Sequence, residues 1–220
     1  MRQRLRKLAL TVHISLAVGW IGGVAAYLVL VFAAMTTQES QTLRAAWIAM
    51  ELIGWYLIVP LAVTSLLSGL VMSLGTPWGL LRHYWTLISL LLTLIATTVL
   101  LQHMQTVSFF AQVAADVGGS DVGGLRGALL GELLHAGVGL LVLLAIEALN
   151  VYKPKGMTAY GRRRASEIAS VSRSTEVGRS APSPAPAPAI PRWVLVVGVH
   201  AIGLAALFVI MHVVGRGGLH

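Results

Sequence analysis

The stretch LALTVHISLAVGWIGGVAAYLVLVFAA, residues 8–34, decides the fold. It runs 27 residues without a charge other than any on His13, directly after Arg2, Arg4, Arg6 and Lys7. As a helix it would reach ~40 Å, beyond the ~30 Å of a hydrocarbon core. A secretory signal has a shorter apolar region and a small-x-small cleavage site, so the stretch reads as an uncleaved first span. Within it, His13, Trp20 and Tyr27 recur every seven residues and share one helix face. An imidazole, an indole and a phenol in line suit other helices better than lipid tails.

Four further apolar runs follow the same logic. Spans are expected at about residues 51–74, with Pro60 kinking the helix, at 84–104 and at 128–151. Residues 35–50 read as a polar connection, and 105–127 as a helix fraying into a loop. Residues 153–192 hold Arg162-Arg163-Arg164, many serines and an alternating Ala-Pro run, the composition of a disordered linker. A fifth span is expected from Trp193, within a last segment of 193–220. The predicted fold is therefore all-α, a polytopic membrane bundle with four helices in residues 1–152 and a fifth beyond the linker. Only 11% of residues are charged, where a soluble domain has about 25%. The chain has no cysteine, which excludes disulfides, thiolate metal sites and iron–sulfur clusters.

The net charge of +8 does not point to nucleic acid, because the basic residues flank the apolar runs. With alternating spans, 13 of the 16 Lys and Arg fall on one side. That bias predicts a cytoplasmic N-terminus, an external C-terminus and a multi-pass protein of the cell membrane. The linker's basic residues suit anionic lipid. Small residues four apart, as in Gly19/Gly23, Ser65/Gly69, Gly127/Gly131 and Ala201/Ala205, suit close helix packing.

Ionisable groups within apolar helices are costly and mark candidate sites. They sort into two tiers along the bundle. His13, His83, Glu147 and His200 lie toward the N-terminal side; Glu51, His103, Glu132, His135 and His212 lie toward the other. Glu132 and His135 are three apart and share a face, yet a di-iron carboxylate site needs two such motifs and this chain has one. A haem b site needs two ligands at equal depth on facing helices. His103 with His135, and His13 with His200, meet that condition.

The first span, with His13, Trp20, Gly22 and Gly23, resembles that of the copper-resistance protein D superfamily and the related HemJ-type protoporphyrinogen oxidases. The third span, from Tyr84-Trp85 to His103, looks like the corresponding family helix that ends in His. That family helix carries a Lys; the nearest position here is Ser89. The chain as a whole looks most like a group of uncharacterised bacterial integral membrane proteins related to that superfamily, over its first four spans. The resemblance implies haem b binding with a role for His13.

Three functional expectations follow. The first is a membrane protein that binds haem b or copper through His13, Trp20, His103, His135 and His200. The second is a permease-like protein for a small ion or metal, its polar tiers lining the path and its flux depending on Glu51 or Glu132, with homo-oligomerisation supplying the symmetry that transporters usually have. The third is a non-catalytic scaffold whose basic linker contacts anionic lipid or a partner.

Overall fold

The computed structural model describes residues 3–75, 80–116 and 122–175, together with 193, 194 and 196. The fifth-span expectation, with His200 and His212, lies otherwise outside the described residues. Among those residues all named elements are helical: α1 (Gln3–Thr36), α2 (Ser40–Ile53), a π-helical turn (Gly54–Ile58), α3 (Val59–Gly75), α4 (Tyr84–Ala115), α5 (Val122–Tyr152) and α6 (Ala159–Thr175). α2, the π turn and α3 form one continuous helix of 36 residues. It, α1, α4 and α5 are each long and apolar enough to cross a membrane.

These four helices pack as neighbours in chain order, and α5 closes the ring against α1. The seam of α1 follows directly from the opening stretch. Ala17, Trp20, Val24, Tyr27, Val31 and Ala34 are buried at alternating spacings of three and four, the pattern of a helix packed along its length. α4 continues that spacing with Met104, Val107, Ala111 and Ala114, and α5 with Leu125, Leu129, Glu132 and Ala136. The opposite faces carry exposed Val18, Val29, Phe32, Val71, Leu91 and Leu141. Apolar side chains both inside and out suit a bundle solvated by lipid.

Three boundaries differ from the sequence reading. Residues 40–50, expected as connection, are helical, because Leu43, Ala46, Trp47 and Met50 form a buried stripe against α1 and α4. Trp47 stacks obliquely on Phe110, ring centroids 5.0 Å apart, and Trp55 Nε1 donates to Ser108 Oγ at 2.9 Å. α4 likewise runs to Ala115 instead of fraying after Met104, since its seam continues past His103. At this end Arg126 donates to the Thr37 carbonyl at 2.8 Å, joining the start of α5 to the short turn before α2. The irregularity expected at Pro60 falls one turn earlier, as the π turn, and leaves the helix continuous.

A further difference is α6, in the segment read as disordered. Thr158 is its N-cap: the Gly161 N–H donates to Thr158 Oγ1 at 3.0 Å, and that hydroxyl donates to the Leu81 carbonyl. Thr158 N also donates to the Arg82 carbonyl at 2.9 Å, and Met157 forms an antiparallel bridge with His83. An Arg164–Glu167 pair at 3.1 Å supports the helix surface. The linker therefore starts as a helix tied to the turn before α4.

Glycine use separates close approaches from open space. A side chain at Gly19 would press on Leu61 of α3 and one at Gly23 on Ile58 of the π turn, so this pair does sit where α1 meets that continuous helix. Gly69 makes room for the His13 ring, with a built Cβ 3.2 Å from Cε1. Gly127 and Gly131 have nothing within 4 Å. At Gly161 a Cβ would run into the Arg82 backbone carbonyl. Gly161→Ala is therefore expected to release the start of α6, raising limited-trypsin cleavage at Arg162–Arg164 several-fold, whereas Gly131→Ala leaves the cleavage rate unchanged.

Candidate functional site

Glu132 projects from α5 into the bundle and is 2% exposed. Its Oε2 lies 2.6 Å from the Tyr27 hydroxyl on α1 and 2.9 Å from His103 Nε2 on α4. The phenol O–H donates to this oxygen, and the imidazole nitrogen shares a hydrogen bond with it. Tyr27 and His103 are themselves buried. The His135 ring, one turn beyond Glu132 on α5, stacks on the His103 ring with centroids 3.5 Å apart and planes 10° apart. Phenol, carboxylate and two imidazoles thus form one contiguous polar cluster supplied by three helices.

The local reason is spacing. Glu132 and His135 are i,i+3 on α5 and reach the same side. His103 precedes Met104 on the seam of α4, and Tyr27 is the third member of the stripe on α1. The sequence reading placed Glu132, His103 and His135 in one tier, and the structure brings them together. It missed Tyr27 as a partner, although the seven-residue stripe already marked its face. What spacing does not reveal is which helix that face meets.

The other candidates lie elsewhere. His13 Nδ1 is 2.9 Å from Ser68 Oγ on α3. Ser68 Oγ also lies 2.9 Å from the Ser65 carbonyl, so His13 joins a short polar chain on α3. Glu147 is hydrogen-bonded by the Asn150 side chain. Glu51 is half-buried on α2 and takes no part in the cluster.

Two cavities flank the stripe. A small, mainly apolar one of about 100 Å³ touches Tyr27, His103 and His135. A larger one of about 500 Å³ opens among the ends of α1, α3, α4 and α5 that carry Arg6 and Lys153; His13 and Glu147 line it. Trp20 and Leu143 line both. The stripe thus runs from a large cavity at His13, past an indole partition, to the cluster at Tyr27.

Ligands on opposite sides of one metal, each at about 2.0–2.1 Å, point their nitrogens at each other across it. Face-stacked rings 3.5 Å apart cannot admit a porphyrin between them, and His103 Nε2 is already committed to Glu132. Among the described residues no group of three His, Asp or Glu is set to hold a metal ion. His103 with His135 therefore does not fit as an axial pair. No protein-family model matches the chain, and no curated protein or solved structure shows significant similarity to it.

Removing Glu132 strips a hydrogen-bond partner from two buried groups, while removing the phenol leaves the carboxyl group one partner. Glu132→Ala is expected to lower stability by ~3–5 kcal/mol and Tyr27→Phe by ~1–3 kcal/mol, measured by unfolding in detergent. His103→Ala is expected to leave any visible absorption of the purified protein unchanged.

Proposed function

We propose that this chain is a multi-pass membrane protein that takes up and passes on a proton at the Tyr27–Glu132–His103 cluster, a permease-like function for a small ion. One observation carries the reading: a carboxyl group 2% exposed inside an apolar bundle, with a phenol and an imidazole hydrogen-bonded to the same oxygen. Ionisable groups are retained at such depth at a cost of several kcal/mol or more, and where they persist they mark proton and ion paths. Phenol, carboxyl and imidazole adjoin one another there, so a proton has a continuous set of oxygen and nitrogen sites across three helices.

The orientation inferred from the basic residues makes the large cavity the cytoplasmic vestibule and the cluster the outer station, with Trp20 between them. Arg6, Arg82 and Lys153 belong to the same end of the bundle, as that orientation requires. Of the histidines named for the cofactor reading implied by the copper-resistance D and HemJ-type resemblance, His13 lies apart from His103 and His135 and His200 is outside the described residues, so the proton reading is preferred.

Purified protein in liposomes loaded with a pH-sensitive dye tests the proposal. Under an imposed potential the parent chain should acidify or alkalinise the lumen in the direction of the driving force. Glu132→Gln, which keeps shape and removes the titrating group, should reduce the rate at least tenfold. Equal rates in the two proteins, or no flux in the parent, would sink it.

A further inference from the structure

α6 begins where two of the long apolar helices have their ends. Thr158, its N-cap, follows shortly after Tyr152, the last residue of α5. The Thr158 hydroxyl and N–H reach the Leu81 and Arg82 carbonyls, just before α4 starts at Tyr84. Trp193 Nε1 donates to the Lys155 carbonyl in the same loop, at 2.8 Å. α4 and α5 are long and apolar enough to cross a membrane, so the start of α6 is pinned at the level where both would enter it. Tyr and Trp gather at that level in membrane proteins.

The pattern along α6 fits that position. Gly161, Ala165 and Ile168 stand four and three apart and share one helix face. At Gly161 that face is buried against the Arg82 backbone. Further along, the same face is open: Ala165 is exposed and Ile168 is 54% exposed, with exposed Tyr160 beside the stripe. The opposite face carries Arg163, Ser166 and Ser170, whose two hydroxyls bond back to their own helix. The helix holds four arginines against one glutamate. Arg162 and Arg164 flank the apolar stripe. Each uses one Nη1 within the chain, on the Met157 carbonyl and on Glu167, and a guanidinium has further donors to offer. An apolar stripe with basic flanks is the make-up of a helix that lies in the headgroup layer. The sign of the charge selects anionic lipid.

We propose that α6 lies flat on the bilayer and binds anionic phospholipid. Ala165 and Ile168 rest at the boundary of headgroups and acyl chains, and Arg162 and Arg164 meet lipid phosphates on either side of them. The expected match between the basic linker and anionic lipid becomes one face of one helix, which does not depend on the Glu132 cluster.

The chain has no cysteine, so a nitroxide label can be placed singly in the full protein. Ile168→Cys and Ser170→Cys put it on opposite faces of α6. In phosphatidylcholine vesicles containing phosphatidylglycerol, the label at residue 168 should relax mainly with dissolved oxygen, which concentrates in lipid. The label at residue 170 should relax mainly with a water-soluble nickel chelate. Arg164→Gln should lower the ratio of immersed to free label at residue 168 about fivefold, the loss of one basic residue at an anionic surface. Omitting phosphatidylglycerol should lower it further. A label at Leu141→Cys, on the exposed face of α5, should report lipid throughout, so that a change at residue 168 is not loss of the fold. Three results would overturn the proposal. They are equal access of the chelate to residues 168 and 170, immersion indifferent to phosphatidylglycerol, and a label at residue 168 shielded from both relaxants, which would mean that protein covers the stripe.

Discussion

The bundle is arranged around the cost of placing a carboxylic acid side chain in an apolar interior. Glu132 is tolerable at 2% exposure because α1 and α4 each bring a hydrogen-bond partner to it. That requirement ties three helices at one depth, and the ties are directional where apolar packing is not. Leu and Val seams allow helices to slide or rotate at little cost, since lipid tails are as apolar as the seam. A phenol 2.6 Å and an imidazole 2.9 Å from one oxygen allow neither. Register in this bundle is therefore set by polar contacts, with the apolar seams filling around them.

The large-scale architecture was legible because membrane physics leaves few choices. Four long apolar runs separated by turn residues become four helices, and the three-four spacing around Trp20 and Tyr27 names the buried face of α1. The candidate cluster was legible by depth: His103, His135 and Glu132 fell into one tier from span order alone. Partner identity was not, because Tyr27 to Glu132 spans 105 residues of chain and depends on α5 closing against α1. Helix ends were also misread. Polar residues in 40–50 masked the stripe of Leu43, Trp47 and Met50, and the charge of Arg162–Arg164 hid the N-cap at Thr158. Charge describes the solvent a helix meets, not whether the helix forms.

The stripe of His13, Trp20 and Tyr27 ends with three distinct environments on one helix face. His13 rests in a cradle made by Gly69 and Ser68, Trp20 stands between two cavities, and Tyr27 anchors the buried carboxylate. A seven-residue repeat thus gives alignment without giving equivalence. The same geometry that would make a plain packing seam in a soluble coiled coil here threads a polar line through an apolar interior.

The π turn at Gly54–Ile58 has a rotational consequence. Buried Met50, Gly54, Ile58 and Ala62 follow each other at intervals of four. On a regular helix, three steps of four residues swing the stripe by ~120°. The wider turn absorbs one residue, ~100° of that swing, and keeps both halves of the 36-residue helix pointed inward. Ser65, Ser68 and Gly69 face α1 as a result, so the phase of the distant His13 cradle is set by one extra residue beside Trp55.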